Sequence, residues 1–151
     1  MPDAKPKIGL PVSETDPNWD RVADEFCQAW SSDVGRPDYA RLADFYAPDP
    51  DVVIYDSLAP LAGFRGFEQM REAIYPGLAT IDVQRTGPVE AKGLADSRVV
   101  VTSYPFRLAY GFADGRRYEL EARISEVWER RPGGYRIVHE HPSTVHDLDH
   151  S

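Results

Sequence analysis

From residue 79 onward the chain runs as four long stretches rich in β-branched and aromatic residues, "IDVQRTGPVEAKG", "SRVVVTSYPFRLAYGF", "RRYELEARISEVWERR" and "YRIVHEHPS". Only "LAD", "ADG" and "PGG" separate them. Runs of this kind joined by such short turn signals predict a meander of antiparallel strands, and they leave the helices to the first half of the chain.

That half supplies them. "DPNWDRVADEFCQAWSS" places Asp16 as N-cap, Pro17 in the first turn, and Trp19, Val22, Phe26 and Trp30 at helical spacing. "GRPDYARLADFYAPDPD" repeats the pattern with Tyr39, Leu42, Phe45 and Tyr46 before a proline-rich stop. "DVVIYD" reads as an early strand, "SLAPLAGFRG" as a loop, and "FEQMREAIYPG" as a third helix stopped by Pro76 and Gly77. Three N-terminal helices packed on one face of a curved antiparallel sheet make an α+β domain.

At 151 residues the chain is one domain with a proper core. We expect an N-terminal arm at 1–15, the domain at 16–145 and a tail at 146–151. A net charge of −8, with basic residues scattered, argues against nucleic acid as a partner. No apolar run approaches a membrane span, the N-terminus lacks the apolar core of a secretory signal, and the single Cys27 has no internal disulfide partner. These point to a cytoplasmic protein without membrane contact.

Short turns also predict which side chains share a face. If Asp114-Gly115 is a two-residue turn, Arg107 opposes Ala122 and Ser103 opposes Glu126. If Pro132-Gly133 centres the next turn, Trp128 pairs with Ile137, Glu126 with His139 and Ile124 with His141. One face then collects Ser103, Arg107, Ile124, Glu126, Trp128, His139, His141 and Ser143, and suits a pocket beneath the helices. The other collects Tyr104, Phe106, Leu108, Tyr110, Val127 and Val138, and suits a subunit contact. A bulge would break this register, and a three-residue "PGG" loop would set Arg123 and Ser125 beside the histidines.

Within that pocket, Glu126 and His139 could share a proton, or form a satisfied pair that only fixes the sheet. Arg107 is a candidate anchor for a carboxylate or enolate, with a plain salt bridge as the alternative. Asp56, at a strand end, is a candidate general base or a loop cap. Tyr55, Trp30, His141 and Ser143 are candidate pocket-lining residues. His139-x-His141 with Glu126 could also be a strand-borne metal set, with "HDLDH" at 146 to 150 adding ligands. H-x-H without a third fixed ligand is a weak signal, so we expect no metal.

"VWERRPGGYRIVHEHPS" resembles the last hairpin of the association domain of calcium/calmodulin-dependent protein kinase II and of bacterial SnoaL-like proteins. "DVVIYDSLAPLAGFRG" resembles the first-strand segment of the same nuclear transport factor 2-like superfamily, and "FRLAY" resembles the pocket-arginine strand of the kinase association domain. The resemblance runs from about residue 18 to 144. It implies the cystatin-like α+β cone and, by match to the ketosteroid isomerases, a general base at Asp56. The oxyanion-hole pair of those isomerases does not carry over: its tyrosine position looks like Phe26 and its acid position falls near Ser125. Arg107 matches one pocket arginine of the association domain, whereas another is replaced by Glu126. The function expected is a cofactor-free SnoaL-like enzyme of isomerase, cyclase or dehydratase type. There Asp56 moves a proton on a hydrophobic cyclic or carbonyl substrate, and Arg107, His139 and Glu126 orient it. The alternative is a non-catalytic ligand-binding or oligomerisation module. Either way the small-molecule ligand is expected to be accompanied by a homodimer through the face of Tyr104, Phe106 and Tyr110.

Overall fold

The computed structural model describes residues 16–48, 52–55, 62–73 and 77–145. Asp56, the N-terminal arm and the tail histidines His146 and His150 lie outside the described residues.

Helix α1 spans Trp19–Trp30, α2 Tyr39–Ala43 and α3 Phe67–Ala73. The N-cap of α1 is Asn18 rather than Asp16: its side chain accepts the Arg21 N–H at 3.1 Å, satisfying one of the orphan donors of the first turn. Asp38 does the same for α2 through Arg41 N–H.

The strands are β1 Val53–Ile54, β2 Phe64–Arg65, β3 Leu78–Arg85, β4 Glu90–Leu94, β5 Val99–Phe112, β6 Arg117–Arg131 and β7 Gly134–Thr144. They form one sheet in the order β2-β1-β7-β6-β5-β3, with β4 also on β5. The early loop thus contains a short strand, β2. The run at 79–93 is two strands because Gly87-Pro88 interrupts it; β3 pairs with the second half of β5 and β4 with the first. β1 runs parallel to β7, with Val53 beside His139 and Ile54 beside Glu140.

The core lies between the helices and the inner sheet face. Val22, Phe26, Leu42, Phe45 and Tyr46 meet Val100, Tyr104, Ile124, Trp128 and Ile137, all buried. Trp128 anchors it. Its ring lies 5.2 Å from Trp19 and 6.4 Å from Phe45, and its indole N–H donates to Thr102 Oγ1 at 2.9 Å.

Two local features overturn the expected faces. The first is the β5–β6 turn, which holds three residues, Ala113, Asp114 and Gly115. Phe112 N–H donates to Arg116 C=O at 2.8 Å, and Gly115 has φ +90, a conformation that suits glycine. Phe106 therefore opposes Ala122, Tyr104 opposes Ile124 and Thr102 opposes Glu126. That one-residue slip reverses β5: Tyr104, Phe106 and Tyr110 are buried within the subunit, and Arg107 is exposed. The proposed dimer face is accordingly corrected, because its aromatic side chains are already covered.

The second feature is a bulge in β7. Trp128 opposes Ile137 as expected, but Val127 opposes His139, so Val138 is the extra residue. Beyond it Glu126 faces Glu140 and Ser125 faces His141. His139 and His141 stand on the outer face and Glu140 turns inward, 4% exposed. The expected Glu126–His139 pair is replaced by a pair of glutamates.

Candidate functional site

An apolar cavity of about 60 Å³ opens between α1 and the inner face of the sheet. Phe26, Cys27 and Trp30 of α1 form one wall; Tyr104, Phe106, Ala122 and Ile124 form the other. Helical spacing puts the first three on one stripe, and the alternation of β5 and β6 puts the rest on one face. Glu140, Pro142, Ser143 and Thr144 of β7 also line it. Among the described residues lining it there is no lysine, arginine or histidine.

The chemistry is concentrated around Glu140. Its carboxylate Oε2 accepts a hydrogen bond from the Tyr46 hydroxyl. Across the strands stands Glu126, 1% exposed, with its Oε2 buried and, among the described residues, without a hydrogen-bond partner. Loss of solvent pushes the Glu126 carboxyl well above the usual range, the neighbouring Glu140 pushes it further, and a hydrogen bond from Tyr104 opposes both. Burial, and then Glu126, raises the Cys27 thiol to about 12, so this cysteine is protonated and unsuited to nucleophilic attack. Burial likewise holds the Tyr46 and Tyr104 phenols well above their ordinary value, leaving both as neutral donors.

The residues singled out from the sequence are divided between three places. Glu126, Trp30 and Ser143 are at or next to the cavity. His139 and His141 are outside it, flanking the Tyr55 ring at 5.7 and 5.5 Å. Burial, then His141, holds the His139 imidazole below its ordinary value, favouring the neutral ring. Arg107 is on the outer surface in an ion pair with Glu119. Both partners are more than half exposed, so Arg107→Ala is expected to change stability by no more than about 0.5 kcal/mol, read by urea unfolding. Among the described residues no group of three or more His, Cys, Asp or Glu could hold a metal ion.

The sequence does not point to Glu140 or Tyr46 as site residues, and it assigns Tyr104 to the subunit contact. Signals for them existed. Thr102, Tyr104, Phe106, Leu108 and Tyr110 form the more apolar stripe of β5, the one a single domain turns toward its helices, and the adjacent pair Ile137 and Val138 breaks the alternation of β7 where the bulge lies.

Helices gathered on one face of a strongly curved, mostly antiparallel sheet, with a cavity between the two layers, define the cystatin-like α+β fold. Within that class, residues 23–147 match the SnoaL-like domain family, and the chain belongs to it. A nuclear transport factor 2-like superfamily protein from Salmonella enterica superposes with a TM-score of 0.66 at 19% identity, over 85% of this chain and 92% of that one. The association domain of calcium/calmodulin-dependent kinase II from Caenorhabditis elegans gives 0.61 at 17%, over 83% and 92%. A hexachlorocyclohexane dehydrochlorinase gives 0.56 at 11%, over 75% and 79%. No curated protein matches the chain. Among the described residues no helix is long and apolar enough to cross a membrane.

Proposed function

We propose that the protein is a small-molecule enzyme of acid–base type, acting without an organic cofactor on a hydrophobic cyclic or carbonyl compound in the α1–sheet cavity. The observation that carries this reading is Glu140, a carboxyl group set in a mostly apolar chamber and accepting a hydrogen bond from Tyr46. A carboxylate in such surroundings is a stronger base than in water, because little solvent competes for the incoming proton.

The step is a proton abstraction beside a carbonyl. The C–H bond breaks, its proton passes to the Glu140 carboxylate, and the electron pair delocalises as an enolate. Return of the proton at another carbon gives isomerisation; loss of a leaving group gives elimination. Asp56 stays in the proposal as a second proton carrier, two residues beyond Ile54, whose strand partner is Glu140. Phe26, Trp30 and Phe106 line the cavity with aromatic surface. A homodimer also remains part of the proposal, through a surface other than the covered Tyr104 face.

The test is deuterium exchange at the α-carbon of a panel of cyclic ketones, followed by NMR, with wild type, Glu140→Gln and Asp56→Asn compared. Exchange catalysed by wild type and lost in Glu140→Gln supports the proposal. Exchange unaffected by Glu140→Gln removes that residue from the chemistry. A protein that binds the ketones without exchanging them is a binding module instead.

A further inference from the structure

Two carboxyl groups buried side by side cannot both be ionised without a nearby cation, and none of the described residues around the cavity provides one. The surroundings distinguish the two. Glu140 borders the cavity and accepts a hydrogen bond from Tyr46, which favours its ionised form. Glu126 stands behind it, nearly free of solvent; a hydrogen bond from Tyr104 favours its ionised form as well, but among the described residues its buried Oε2 has no hydrogen-bond partner. An ionised Glu126 would leave that oxygen as an uncompensated buried acceptor, whereas a protonated one turns it into a donor. Among the described residues, the other titratable groups shown to act on the pair are Cys27 from α1, Tyr46 from the segment after α2 and Tyr104 from β5, all neutral at physiological pH.

We propose that Glu126 is a positioning residue that keeps the single proton of the pair and directs it at Glu140. Glu140 thereby faces the cavity as a base, and the site accepts uncharged carbonyl compounds while turning carboxylates away. This rests on the cavity being the ligand site. It deepens that assignment by naming the charge class of the substrate and the residue that sets it.

Acetophenone and benzoate are matched probes, nearly equal in shape and different in charge. At pH 7.5 acetophenone is expected to stabilise the wild-type protein in a thermal-shift titration with an affinity roughly tenfold or more above that of benzoate. Glu140→Gln, which removes the charge, is expected to abolish the discrimination. Infrared difference spectra locate the proton: a protonated-carboxyl band at pH 7.5 is expected in wild type and Glu140→Gln, and is expected to be lost in Glu126→Gln, whose amide replaces the donor.

A band that survives in Glu126→Gln places the proton on Glu140 and overturns the proposal. So does the lack of any band in wild type, or benzoate binding as tightly as acetophenone. If neither probe binds while the infrared pattern holds, the proton assignment stands and the ligand site does not. Should Glu126→Gln fail to fold, the wild-type and Glu140→Gln bands together with the probe pair still decide the matter.

Discussion

Trp128→Ala is expected to remove about 3–5 kcal/mol of stability, the usual cost of deleting a buried tryptophan. Trp128 is 2% exposed and packs against both Trp19 of α1 and Phe45 after α2, so its loss opens a void where helices and sheet meet. It also takes away the donor to Thr102 Oγ1, which is buried and left to find another partner. Domains of this kind have total stabilities of about 5–15 kcal/mol, so the variant should lose a large share of the whole. A fall in melting temperature of about 10 °C or more is expected by calorimetry. Trp128→Phe, which keeps most of the ring volume, should lose clearly less. Equal losses for the two would show that the Thr102 hydrogen bond, rather than packing, carries the effect.

The second large effect is on turnover. Glu140→Gln keeps shape and keeps a partner for Tyr46, yet removes the proton-accepting oxygen. A positioned proton carrier contributes about 10²–10⁴-fold, and α-proton exchange should fall by that factor. Glu121→Gln is the matching control: Glu121 is exposed on the outer face of β6, and its variant should exchange at the wild-type rate. A comparable fall in both would point to a general loss of structure rather than to chemistry at Glu140.

Stability should also depend on pH in a direction set by Glu126. Its folded-state affinity for protons is raised above the unfolded value of about 4.3, chiefly by burial and then by Glu140. Below that unfolded value the group is protonated in both states and its contribution is fully present. As the pH climbs beyond it, the unfolded chain gives up the proton first, and stability declines until the folded-state value is passed. Urea unfolding between pH 5 and pH 8 should therefore show wild type losing stability relative to Glu126→Gln. A difference that stays constant over that range would mean that Glu126 titrates normally.

Much of the architecture was legible in the residues. Trp19, Val22, Phe26 and Trp30 gave α1 its buried stripe, and Phe67 and Met70 did so for α3. The hairpin at Pro132-Gly133 was also legible, since Trp128 does oppose Ile137. The candidate site was less so. The sequence puts Glu126 on the inner face but pairs it with His139, where the structure pairs it with Glu140; it suggests Arg107 as a pocket anchor, and the structure puts Arg107 in a surface ion pair.

The difference between the two levels is one of range. Periodicity and capping are local, so the chain by itself determined the helices, most of the strands and the inward face of β6. Which face β5 and the end of β7 present depended on one extra residue in the Ala113–Gly115 loop and one at Val138, and strand side chains alternate with a period of two. A single inserted residue exchanges inside for outside along everything that follows it. Only the tertiary structure decided those two insertions, because they are selected by what the sheet buries against the helices, and with them it decided that Glu140, backed by Glu126, rather than a histidine and an arginine, meets the cavity.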